Sequence, residues 1–215
     1  DVSVTTRPVE HSDLPSLLTA ARVFGDFRAP RLRFWCADSP EAHSNLSPDQ
    51  RVLAAPLAEV GTREVMPGLT LRLTTDDSHY GPAQAAYDAV DADHPEHSRQ
   101  ARLLSRDDLA ETTEAGTMFD VLWCGQWSGY AGTLAHSQLG LDAHVVQEML
   151  LTPYARGMGL GASVSVLLAR QLSGHDAADG RVLSGTIHGS NRGALTAARR
   201  AGRHDVGGWW WVPLG

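Results

Sequence analysis

The 215-residue chain contains no lysine; all 18 of its basic residues are arginine. No side-chain amine of its own can therefore form a Schiff base or be acylated, and a P-loop, which needs a lysine, is excluded. Cysteine is almost as scarce. Cys36 and Cys124 cannot build a disulfide scaffold or a cysteine-rich zinc site. Read as small hydrophobes, they suit a reducing compartment, and a cytoplasmic location is expected. Long apolar runs are also missing. The uncharged stretch Gly157–Ala169 falls far short of the ~20 residues of a membrane span, so no membrane partner is expected. His94 and His97 have no third ligand in sight and read as surface histidines, so no metal site is expected.

What remains is ordinary globular material, 42% hydrophobic and 20% charged, which excludes disorder. The net charge of −7 is unevenly spread. Residues 1–70 carry −2 (nine acids, seven arginines), residues 71–150 carry −9 (thirteen and four), and residues 151–215 carry +4 (three and seven). The acidic total argues against nucleic acid as a partner. The acidic middle beside a basic end suggests one cationic and one anionic partner; random scatter for solubility is the alternative.

In chain order, Val2–Val9 reads as a strand. Ser12 or Asp13 caps a helix with Pro15 in its first turn, and residues 37–50 read as a polar loop. Leu69–Leu73 reads as a strand, and Thr75-Asp76-Asp77 caps a helix to about Val90. An offset of 65 residues superposes Thr5 on Thr70, Arg7 on Arg72 and Ala20-Ala21 on Ala85-Ala86, a weak sign of duplication. Ser105 caps a short helix. Phe119–Cys124 and Ser128–His136 read as a hairpin around Gly125-Gln126-Trp127. Asp142–Leu151 is a strand, followed by a glycine cluster and a helix to about Leu172. Arg181–Gly189 is a strand, Asn191 starts a helix to Ala201, and Trp209–Val212 is a last, buried strand.

The sharpest feature runs from Glu148 to Leu172: strand, glycine-rich turn, helix. A helix N-terminus exposes unpaired N–H groups and the positive end of the dipole, and glycines let a ligand approach them. The spacing predicts an anion site, best filled by a diphosphate. Gly157-x-Gly159-x-x-Ala162 satisfies the dinucleotide fingerprint. That fold needs the motif early and an acid ending the second strand, but only 53 residues follow Ala162. A dinucleotide-binding oxidoreductase stays as a competing reading.

Arg156-x-x-Gly159-x-Gly161 matches the Q/R-x-x-G-x-G/A signature, Leu151-x-Pro153 stands in a V-x-P position, Asn191-x-x-Ala194-Leu195 matches N-x-x-A-[IL], and Ala201-Gly202 matches the close of that helix. On these motifs the region resembles the GNAT N-acetyltransferases. The resemblance covers residues 68–215. It implies an α/β fold, a GNAT-type mixed central sheet flanked by helices. Residues 1–67 are then an N-terminal extension or a degenerate half-repeat.

The resemblance also implies acetyl-CoA as cosubstrate and direct acetyl transfer to a primary amine. Met149, Leu150 and Leu151 would pair with pantetheine through their backbone. Arg156, Gly157, Met158, Gly159, Leu160, Gly161 and Ala162 would hold the pyrophosphate, and Asn191 would contact the pantetheine arm or the neighbouring strand, or cap its helix. Arg192, Arg199 and Arg203 fall on one helical face that either meets the 3′-phosphate or, the favoured alternative, is a solvated basic face. Glu148 is the candidate base, with a salt-bridge role as its alternative. The family's acid tyrosine is replaced by Ala198. Tyr154 is taken as its substitute, beside Tyr130 and His188, unless the thiolate leaves unaided. The gap keeps open a non-catalytic acyl-CoA-binding module. The acceptor would lie against residues 78–110, whose Asp88, Asp91, Asp93, Glu96, Asp107 and Asp108 favour a cationic small-molecule amine or a basic peptide. A homodimer is one state the resemblance allows.

Overall fold

A computed structural model describes residues 31–39, 46–93, 102–174 and 180–213, with isolated positions before residue 20. The strand expected at Val2–Val9 and the histidine pair 94/97 lie outside the described residues. The order of elements is β1 (Arg31–Cys36), β2 (Ser47–Pro56), α1 (Leu57–Gly61), β3 (Leu69–Leu73), α2 (Tyr80–Asp93), α3 (Arg106–Glu114), β4 (Met118–Trp123), β5 (Gln126–Gln138), β6 (Leu141–Leu151), α4 (Leu160–Ser173), β7 (Val182–His188), α5 (Arg192–Arg200) and β8 (His204–Pro213). By hydrogen bonding the strands follow the order β1-β8-β2-β7-β6-β5-β4-β3. Parallel pairing of β6 with β7 and antiparallel pairing of β3 through β6 make the sheet mixed.

The chain divides into two compact units, one of residues 1–53, 186–195 and 205–215, the other of residues 54–185 and 196–204. The sequence boundary at 67/68 divides chain segments; the compact units divide otherwise.

In the smaller unit β1 and β8 pair antiparallel from Arg31↔Pro213 to Cys36↔Gly208. Alternation along β8 buries Trp210 and Val212 with Phe34 and Cys36, while Trp209 and Trp211 stay half-buried. The tryptophan run is therefore strand core on alternate residues, as expected. The first half of β2 belongs here. Residues 47–50, expected as loop, are strand: their pairing is long-range and leaves no local mark. Arg51 is buried and held by Asp205 through Nε at 3.0 Å and Nη2 at 2.7 Å, with Nη2 also donating to Asp38 O at 2.8 Å.

In the larger unit β4 and β5 are joined by Cys124-Gly125, both at positive φ (50° and 80°), a two-residue loop one step earlier than the sequence suggested. Cys124 is exposed there. Ser105 caps α3 by accepting from Asp108 N, as read from sequence. α2 starts at Tyr80 rather than at Asp77, because Asp76 Oδ1 accepts from Ser78 N and turns the chain first. One face of this unit's sheet packs Leu160, Val164, Leu168 and Leu172 of α4 against Phe119, Val121, Ala131 and Leu183. The other packs Ala83 and Ala86 of α2 and Leu109 of α3 against Met118, Tyr130 and Leu150. No helix among the described residues is long and apolar enough to cross a membrane, and no group of three metal-ligating side chains occurs there.

Candidate functional site

The site is built on a defect in β6. Its ladder with β5 steps from Gly132↔Glu148 to Thr133↔Val146, leaving Gln147 as an extra residue. Such a bulge twists the strand and redirects its side chains. On the other side, pairing with β7 runs only from Ala143↔Val182 to Val145↔Ser184. Past Val145, β6 keeps its β5 partner and no pairing continues toward β7 among the described residues. The strand edge of residues 146–151 is thus open, as backbone pairing to an extended ligand requires.

Glu148 lies on the face of α2 and α3, the face of Leu150, and is 1% exposed. Its Oε1 accepts from Tyr87 Oη at 2.5 Å and from Met149 N at 3.1 Å, and its Oε2 accepts from Leu104 N at 3.3 Å. Burial pushes its pKa up to about 7, against the pull of these hydrogen bonds. Burial, and then the Glu148 charge, push the Tyr87 hydroxyl far above its ordinary range. Tyr87 is a neighbour the sequence reading missed. Sixty-one positions separate it from Glu148, and only the fold brings them together.

Two residues along β5 from the partner of Glu148, Tyr130 is fully buried with its hydroxyl unpaired, and burial raises it to about 12. Across β4, Asp120 accepts from Trp127 Nε1 at 3.1 Å and pairs with Arg72 at 2.8 Å and His79 at 3.3 Å. The acids of residues 78–110 that are described sit on α2 and the start of α3, with Asp88, Asp93, Asp107 and Asp108 exposed and Asp91 partly so.

Thr152 leads into a single 3₁₀ turn, Pro153–Ala155, and Arg156 ends it in extended conformation. Gly157 and Gly159 then take φ of 74° and 78°, and a Cβ at either would meet nothing. Gly159 caps α4 with no side-chain bond. No hydrogen bond outside the helix engages the N–H groups of Gly157–Ala162 among the described residues. These amides stand open at the positive end of a 14-residue helix. The Arg156 side chain turns away from them: Nη2 donates to Ala86 O at 3.0 Å, tying the turn to α2. Leu160 is buried and anchors the helix; Met158 is exposed.

Met149 and Leu151 are half-buried on the opened edge, with Leu150 in the core. Tyr154 is 65% exposed. Ala198 is fully buried. In the smaller unit, Asn191 is exposed and its Oδ1 accepts from Ala194 N at 3.0 Å, so it caps α5. His188 Nδ1 lies 2.7 Å from Ser190 Oγ. The expected basic face of Arg192, Arg199 and Arg203 does not form. Helix α5 stops at Arg200, Gly202 turns at φ 92°, and Arg203 is 4% exposed while the other two are exposed.

No model of a protein family matches the sequence, and no curated protein matches it. Solved structures do match in three dimensions. A GNAT-family acetyltransferase from Colwellia psychrerythraea aligns with TM-score 0.55 over 94% of this chain and 74% of its own, at 9% identity. A tandem GNAT protein from the clavulanic acid biosynthesis pathway, solved without AcCoA, gives 0.52 over 100% and 73%, at 13% identity.

The fold is that of the GNAT superfamily.

A GCN5-related N-acetyltransferase from Kribbella flavida matches at TM-score 0.51 and 15% identity, over 96% of this chain and 77% of that one. Identities this low establish the GNAT fold alone. The mixed sheet expected from the motifs is present, with the glycine turn leading into α4 and the β6–β7 ladder ending at Val145↔Ser184.

Proposed function

We propose that the protein is an N-acyltransferase that takes its acyl group from a coenzyme A thioester such as acetyl-CoA and passes it to a primary amine. One observation carries this: the amides of Gly157–Ala162 stand unengaged at the head of α4, on the turn that follows an open strand edge. A diphosphate suits the first and pantetheine the second. Backbone groups of Met149 and Leu151 pair with the pantetheine arm, Leu160 and Ala162 set the helix that aims the amides, and Asn191 keeps its helix capped.

A neutral amine attacks the thioester carbonyl. Glu148, poised near neutrality, accepts the proton that the amine gives up. Tyr87 holds the carboxylate in place. Met149 N–H is the donor for the oxyanion once the Glu148 oxygen it now serves moves to the amine. The leaving thiol, of pKa ~8.5, departs as thiolate with little help, and Tyr154 at the start of the turn is the group that can return a proton. The acids on α2 and α3 favour a cationic acceptor, a polyamine or a basic peptide.

A second reading, coenzyme binding without turnover, draws on buried Ala198, where the superfamily places its acid tyrosine. Titration with acetyl-CoA and with NAD, followed by thiol release over a panel of cationic, neutral and anionic amines, tests both. Binding of acetyl-CoA and thiol release with cationic amines are expected. Binding without release with any amine supports the second reading, and binding of NAD alone overturns both.

A further inference from the structure

Arg203 follows the Ala201-Gly202 stop of α5 and is buried. Its Nε has no hydrogen-bond partner, and among the described residues the guanidinium meets no carboxylate. Burial alone acts on it, lowering its pKa to about 10, so it stays charged at neutral pH. A guanidinium withdrawn from water without a counter-charge is unfavourable, and its five donors demand acceptors.

Its position is specific. A Cβ at Gly185 would lie 2.8 Å from Arg203 Nη1 and 3.3 Å from Val146 Cβ. Gly185 follows Ser184 and Val146 follows Val145, the last pair joining β7 to β6. The charge therefore stands at the fork where the two strands part, in room that the missing side chain of Gly185 leaves. Counted along β6 from Val146, Glu148 and Met149 N–H lie two and three residues farther on, at most roughly 7–10 Å at about 3.3 Å per residue and less where the bulge at Gln147 shortens the strand. That is the span of a three- or four-carbon chain with a hydrogen bond at each end. The pyrophosphate has its own amides at α4, so it does not answer this charge, and an acetyl methyl cannot.

We propose that Arg203 receives a carboxylate at the far end of the acyl group, so that the preferred donor is the coenzyme A thioester of a short dicarboxylic acid, malonyl or succinyl, rather than acetyl-CoA. This rests on the acyltransferase reading and names its donor class. The transfer balances as for acetyl: the amine nitrogen bonds to the thioester carbon, the C–S bond breaks, the amine proton goes to Glu148, the thiolate takes a proton from Tyr154, which solvent reprotonates, and the distal carboxylate is unchanged. Arginine is suited to hold that group with two parallel hydrogen bonds.

Calorimetric titration of the wild-type protein with coenzyme A and with acetyl-, butyryl-, malonyl- and succinyl-CoA tests this. Malonyl- or succinyl-CoA is expected to bind at least tenfold more tightly than acetyl- and butyryl-CoA. Arg203→Met should erase that preference and Arg203→Lys should keep part of it. Free succinate should raise the melting temperature of wild type and not of Arg203→Met. If coenzyme A binds but the four thioesters bind equally, the inference falls and the acyltransferase reading stands. If coenzyme A does not bind, the reading beneath it falls as well. The wild-type series decides even if the variants do not fold.

Discussion

Arg51 and Arg203 are both withdrawn from water, and they differ in what surrounds them. Arg51, in the smaller unit, is gripped by Asp205 through two nitrogens, donates to a main-chain carbonyl and lies 5.3 Å from the Trp210 ring; only its Nη1 is left without a partner. Arg203, in the larger unit, has none of this among the described residues. A satisfied buried cation belongs to the architecture, and one without partners among the described residues points to a group those residues do not supply. Glu148 is an intermediate case, accepting three hydrogen bonds yet paired with no cation among the described residues. The hydrogen bonds offset only part of the cost of burying its charge, so it takes up a proton near neutrality.

The largest expected effect breaks the comparison if it fails. Arg51→Met should lower unfolding free energy by roughly 3–5 kcal/mol, since the buried ion pair with Asp205 and the hydrogen bond to Asp38 O are both lost. Arg203→Met should leave stability unchanged or raise it. Denaturant melts of the two variants side by side decide, and equal losses would mean that both arginines are structural.

Next in size, Glu148→Gln should cost about a hundredfold in kcat/KM with an amine acceptor, near 3 kcal/mol of barrier. Wild-type rate should climb as pH rises through about 7, where the carboxyl ionises, and the variant should lack that limb. The same group gives a stability signature. Its folded pKa lies above the ordinary carboxyl value of about 4.5, so the folded chain holds the proton more tightly. Glu148 then costs nothing at acid pH, and its penalty grows as pH rises from about 4.5 through about 7, to the order of 3 kcal/mol. Melts of wild type and Glu148→Gln should converge near pH 4 and separate above pH 7, with the variant more stable.

The smallest effect concerns the turn. Gly159→Ala forces a side chain into φ of 78° and should cost about 1 kcal/mol in stability, while coenzyme A affinity falls several-fold. Loss of affinity well beyond the loss of stability would show that the amides, rather than the fold at large, bind the diphosphate.

What could be read in advance follows the range of the forces involved. The Ser105 cap, the glycine turn and the helices α4 and α5 are local, and residues within a few positions of one another specify them. Glu148 was legible because its strand leads directly into that turn. The β2 strand at 47–50 and the Tyr87 contact depend on residues far away in sequence and left no trace. Arg203 is a different case. Gly202 already marked the end of α5, so continuing a helical face through it placed the arginine in solvent. Treating that glycine as a stop would have removed Arg203 from the helix, though not shown where it goes.

The ladder of β1 with β8 joins Arg31 to Pro213. Closing it means bringing together segments separated by nearly the whole described chain, so a nascent protein can assemble this patch only after the ribosome has finished almost everything between. The larger unit draws on a continuous stretch and on the nine residues that complete it, so it is expected to acquire protection from amide exchange first. The early strands wait unpaired meanwhile, and chaperone capture or aggregation would begin there.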